Sequence, residues 1–152
     1  MLSGREVLVS DIKRAEELHG HLGPFLVIGV RMGEIAGRFL NVEGGNSGMR
    51  VMVRVPLVTP FSCILDGIQA VTRCTVGNRR LKIRNSDGPI MAVFKLKGCD
   101  KTLRVLVRPQ LIEVLRKRLM DGDPNEELAW EVASMPEETL FELSFSLKRK
   151  KE

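Results

Sequence analysis

No run in the 152-residue sequence approaches the roughly 20 consecutive apolar residues that a membrane-spanning helix needs. The opening Met1-Leu2-Ser3-Gly4-Arg5-Glu6 lacks a basic start followed by an apolar stretch, so a soluble, cytoplasmic protein is expected. Cysteine is scarce. Cys63, Cys74 and Cys99 are odd in number and match no zinc-ribbon spacing, which argues against a disulfide framework and for reduced thiols. Histidine is scarcer still, with His19 and His21 the whole supply. Internal repeats and a linker to a second unit are also missing. Residues 1–152 therefore read as one domain, able to bury about two thirds of the surface of its unfolded chain, with 109–152 as a carboxyl-terminal extension packed on the core.

Lysine and arginine are absent from residues 121–142, which hold eight acids: Asp121, Asp123, Glu126, Glu127, Glu131, Glu137, Glu138 and Glu142. The chain as a whole carries a net charge of +5. A basic excess alone suggests a nucleic-acid partner, but this segregation points to internal charge pairing, and nucleic acid is not expected to bind. The run Lys148-Arg149-Lys150-Lys151 reads as a solvated end.

Taken in order, the periodicities predict a short helix over 10–18, with Ser10 as N-cap and Gly20 as its stop. Gly23 followed by Pro24 resembles an N-cap and first helical position, opening a helix to about Leu40. Its apolar stripe is Phe25, Ile28, Met32, Ile35 and Phe39, and Gly29, Gly33 and Gly37 form a second stripe. Interior glycines each cost up to about 1 kcal/mol relative to alanine, so this stripe implies a close backbone, either within the chain or across a dimer. After a turn-rich loop over 41–48, alternation predicts a strand over 49–58, a helix over 60–73 begun by Thr59-Pro60, and a strand over 80–85. That order is a parallel βαβ unit. Strands over 89–97 and 102–108 follow as a hairpin around Gly98-Cys99-Asp100-Lys101, then helices over 109–120 and 124–134 and a strand over 139–147. The sheet should present one apolar and one largely basic face, with the acidic segment covering part of the basic one.

Neutral imidazoles and thiolates are ligands for zinc and related ions. The Leu18-His19-Gly20-His21-Leu22-Gly23-Pro24 stretch breaks a helix at glycine, which lets two nearby histidines act together. Cys63 falls in the first turn of the 60–73 helix, where the dipole favours a thiolate. Asp66, Gln69, Cys74 and Thr75 can extend the same polar edge.

These two stretches together resemble the FmdE/FwdE family of formylmethanofuran dehydrogenase subunits. His-Gly-His with Pro24 and the following Gly29, Arg31 and Gly33 match the first family motif; Cys63, Asp66, Ile68, Gln69, Cys74, Thr75, Gly77, Asn78 and Leu81 match the second. The resemblance covers about residues 15–108. It implies an α+β core of helix, strand, helix and three strands around a mixed sheet, FwdE/GAPDH-domain-like, often dimeric. It also implies His21, Cys63 and His19 as metal ligands, with Asp66, Gln69, Cys74 and Thr75 around them. The ion would be zinc or another transition metal, weakly held, and a molybdenum or tungsten cofactor would be met only through a larger dehydrogenase complex of one-carbon metabolism. Gly23 stands where the family has cysteine, Phe25 where it has glycine, and Gly67 where it has alanine; no cysteine follows Cys99 to build the zinc finger of some relatives. The expected function is that of an accessory protein binding a metal or small ligand, the competing ones an independent metalloenzyme and a structural or nucleic-acid-binding module.

Overall fold

A computed structural model describes residues 3–42 and 48–147 of the chain. Helix α1 (Gly4–His19) starts six residues earlier than Ser10 would start it. The reason is a capping box: the Ser3 hydroxyl accepts from the Glu6 N–H at 3.1 Å, and the Ser3 N–H donates to the Glu6 carboxylate at 3.2 Å. Gly20 ends α1 as expected, at φ 98° in the left-handed region, with its N–H on the Glu16 carbonyl at 2.7 Å. Helix α2 (Pro24–Phe39) begins at the Gly23-Pro24 pair and touches α1, α3 and α5. Its residues from Pro24 to Gly33 are all buried.

Strand β1 (Met49–Val55), helix α3 (Cys63–Thr72) and strand β2 (Leu81–Asn85) form the βαβ unit, with Val51 opposite Leu81 in parallel register. The strand stops at Val55 rather than residue 58. Thr59–Pro60 is cis and residues 59–62 turn, so the helix starts at Cys63 rather than Pro60. Strands β3 (Met91–Leu96) and β4 (Lys101–Val107) make the expected hairpin, with Gly98 at φ 81° in the turn. After α4 (Pro109–Met120) and α5 (Asn125–Ser134), the expected strand over 139–147 divides into a one-turn helix, α6 (Glu137–Leu140), and strand β5 (Phe141–Leu147).

The fold is α+β, with a mixed five-stranded sheet in the order β2-β1-β3-β4-β5; only β1 and β2 are parallel. Inward rows such as Val53, Ala92, Phe94 and Val105 join the apolar faces of α2, α3 and α5 in one buried cluster. Phe141, Leu115 and Leu128 belong to the same cluster, so residues 109–147 supply core and sheet rather than a separate layer. Among the described residues, no helix is long and apolar enough to cross a membrane.

Apart from Glu142, whose register puts it on the outer face of β5, the acids of this segment lie on helices and turns rather than across the sheet. Helix α5 packs on α2, Asp123 and Glu131 pair with Arg118 of α4, and Glu137 pairs with Arg38 of α2. Arg31 ties α5 down by donating to the carbonyls of Val132, Ala133 and Met135 at 3.0, 3.2 and 2.7 Å, which satisfies the end of that helix.

The glycine stripe is occupied within the chain. A methyl added at Gly29 would stand 2.1 Å from the Ile64 carbonyl oxygen, and one at Gly67 would stand 2.2 Å from that of Leu26. At Gly29 and Gly67, therefore, α2 and α3 meet backbone to backbone, while one turn on Gly33 makes room for the Val71 and Thr72 side chains at 3.1 and 3.2 Å. Gly29 and Gly33 are buried in this seam, and half-buried Gly37 approaches the Val42 carbonyl. The loop expected over 41–48 lies, for residues 43–47, outside the described residues, as does the basic tail.

Candidate metal centre

The α2–α3 seam fixes where the amino-terminal end of α3 falls relative to the α1–α2 junction. His19 is the last residue of α1, His21 lies one residue beyond Gly20, and Cys63 is the first residue of α3. One ligating atom from each of the three lies within 4.8 Å of the others. The two imidazole rings are 4.5 Å apart between centroids. Cys63 is buried, His19 half-buried and His21 exposed, so the cluster opens to solvent on the His21 side.

His19 is oriented by Asp66, one turn into α3, whose Oδ2 sits 2.7 Å from Nδ1. A carboxylate oxygen can only accept, so Nδ1 is the donating nitrogen and Nε2 is the one left to present a lone pair to a ligand. The other oxygen of Asp66 accepts from the Gln69 side chain at 3.1 Å. Gln69, Asp66 and His19 thus form a relay that sets both tautomer and ring orientation. His19 Nε2 is buried and has no hydrogen-bond partner among the described residues. A buried lone pair left without a donor costs about 1–3 kcal/mol, and a cation in front of it removes that cost.

The expectation for Cys63 needs correction. Burial, and secondarily the charge of Asp66, push its thiol above the usual value, outweighing the helix dipole. A thiol in that position becomes a thiolate when a cation takes the proton's place.

Beyond this geometry, the family model described as "FmdE, Molybdenum formylmethanofuran dehydrogenase operon" matches residues 18–142. The chain belongs to the FmdE family. A curated protein of Archaeoglobus fulgidus, described as a probable S-adenosyl-L-methionine-binding protein, is 31% identical over 87% of this chain. The match spans only 41% of that relative's length. In fold, the chain is similar to the crystal structure of a tungsten formylmethanofuran dehydrogenase FmdE-like protein from Syntrophus aciditrophicus. That likeness has a TM-score of 0.62 at 19% identity, covering 93% of this chain and 73% of the other.

Not all of the FmdE motif residues meet at the cluster. Cys74 and Thr75 follow the far end of α3, a helix of 10 residues and so about 15 Å long. The Cys74 thiol donates to the Met49 carbonyl at 3.2 Å, and Thr75 exchanges hydrogen bonds with Asn78. Two further residues matter instead: Arg31, met in the sequence only as a motif member with no role attached, and Asn125, which the sequence did not single out. Arg31 anchors α5, and Asn125, the first residue of α5, places its side-chain oxygen 3.1 Å from where a Cβ on Gly23 would stand. Their contacts are about 100 residues away in sequence, beyond any local pattern. The spot at Gly23 also lies 3.7 Å from the His21 ring, so the family's cysteine position borders the cluster.

Proposed function

We propose that this FmdE-family protein is a metal-binding accessory protein, holding zinc or a similar ion through His19 Nε2, His21 and Cys63. The supporting observation is the buried, partnerless His19 Nε2, aimed by Asp66 at a cluster with a second imidazole and a thiol. Ligating histidines characteristically give their other ring nitrogen to a carboxylate in this way. Three protein ligands are fewer than the four of a structural zinc site, so the ion is held weakly and keeps a position for a small ligand. When bound, such an ion supplies Lewis acidity; the residues themselves orient it and shield one side of it. The family relationship supports a place beside formylmethanofuran dehydrogenase subunits in one-carbon metabolism, with any molybdenum or tungsten chemistry in the partner complex.

The test is zinc affinity by competition with a chromophoric chelator. His21→Ala should weaken binding by about 100-fold or more, since even orienting residues beyond the ligands are worth 10–100-fold. Gly23→Cys should tighten it: Gly23 has an extended backbone that any residue adopts, and only the Asn125 side chain must move. Wild-type affinity in both variants refutes the shared site.

A homodimer belongs to the same proposal, built on β5 rather than on the glycine stripe. Among the described residues strand β5 pairs on one side only, and Leu143, Phe145 and Leu147 are 42, 68 and 69% exposed. An edge strand with an uncovered apolar row favours a second copy. Light scattering should give twice the 17.0 kDa chain mass, and Phe145→Glu should return it to one.

A further inference from the structure

The outer face of the sheet carries a second cluster of functional side chains, basic and remote in chemistry from the histidines. Arg50 stands directly opposite Lys95 across β1 and β3, and Arg54 opposite Arg84 across β1 and β2. Like charges at directly opposed positions destabilise a sheet pair. Among the described residues, none of these four side chains has an ion-pair partner; Asp123, Glu131 and Glu137 of the acidic segment pair with Arg118 and Arg38 instead. Around a hollow of about 270 Å³, Arg50 and Lys95 are joined by Arg79, Arg80 and Lys82, over a floor that includes Met52 and Val93.

The rim is built by the part of the second motif that the histidine cluster leaves unused. The Asn78 side chain accepts from the N–H groups of Thr75 and Arg80 at 3.0 and 3.1 Å and donates to the Arg73 carbonyl at 2.7 Å. That web fixes the turn from which Arg79 and Arg80 project beside the Arg50 row. Arginine forks match phosphate oxygens bidentately. Five cations around so small a volume exceed what one monoanion can neutralise, and the apolar floor suits an uncharged ligand portion.

We propose that this hollow binds a small ligand bearing two or more phosphate-type charges, such as a nucleoside polyphosphate. A nucleic acid is the less favoured occupant. The cations concentrate at β1–β2, and toward β5 the outer face changes to Thr102, Ser144, Ser146 and Glu142, with Arg104 as its basic member and no aromatic ring in the outward register for a base to stack on.

Calorimetry on the full chain at physiological ionic strength, with inorganic phosphate, tripolyphosphate, ATP and a short DNA duplex, tests this. Tripolyphosphate and ATP should bind with one site per chain, at least about tenfold tighter than phosphate. Arg50→Glu should cost more than about tenfold in their affinity. It should leave the thermal midpoint in anion-free buffer equal or higher, because the new carboxylate faces Lys95. Arg50→Gln supplies the same loss of affinity should the glutamate variant fold poorly. Arg104→Gln, one strand beyond the hollow, should change little. Tripolyphosphate no tighter than phosphate means an adventitious ion only and overturns the proposal. Duplex binding weakened equally by Arg50→Gln and Arg104→Gln, without ATP binding, overturns it in favour of an extended nucleic-acid face.

Discussion

Cys63 and Cys74 sit just inside and just beyond the two ends of α3, both buried and both with thiols pushed up from the usual value chiefly by burial. They differ in what faces the sulfur. Cys74 donates to a backbone carbonyl of β1, with the Thr72 hydroxyl and the charge of Arg80 as the other polar influences on its thiol. Cys63 faces two imidazoles, one held by a carboxylate and left with a bare buried nitrogen. Residue type, burial and raised pKa are therefore shared by a structural thiol and a candidate ligand. Convergence of unsatisfied donor atoms separates them.

The contrast is most directly broken by separating α3 from α2. Gly67→Ala puts a methyl 2.2 Å from the Leu26 carbonyl oxygen and 2.8 Å from the Val30 nitrogen, both backbone atoms that cannot rotate away. It should cost about 3 kcal/mol or more in chemical denaturation and release the zinc site with the fold, whereas Gly4→Ala, with nothing within 4 Å, serves as the neutral control. At the two ends of α3, Cys63→Ser should lower zinc affinity by about 100-fold with little change in stability. Cys74→Ala should do the reverse, costing about 1 kcal/mol with zinc affinity unchanged; equal effects of the two on zinc would erase the distinction. A smaller loss of zinc affinity than that of Cys63→Ser is expected for Asp66→Asn, which keeps a hydrogen bond to His19 but no longer fixes its tautomer by charge. Zinc affinity should fall about tenfold and His19 Nδ1 should lose its strongly hydrogen-bonded proton signal in NMR; a full-strength site in this variant would show that the relay does not orient the ligand.

Several elements were legible locally. Gly23-Pro24 set the start of α2, Gly20 the end of α1, and alternation the β3–β4 hairpin, since capping and pleat act over a few residues. The errors were equally local in origin: the Ser3/Glu6 box outcompeted Ser10, and the cis Thr59–Pro60 turn delayed α3 to Cys63. The placement of the acidic segment on α2 and α4 was not legible, because charge pairing depends on which faces meet.

The sequence by itself determined the α+β order of elements and the residue types able to ligate a cation, because periodicity and side-chain chemistry are properties of short stretches. It also determined that another backbone lies against Gly29. Only the tertiary structure decided that this backbone is α3 of the same chain, with Gly67 completing the seam. From that contact follow the meeting of Cys63 with His19 and His21 and the exclusion of Cys74 and Thr75, while strand register sets like charges opposite one another on the outer sheet face. Each depends on contacts between residues far apart in sequence, and such contacts are fixed by packing the whole core at once.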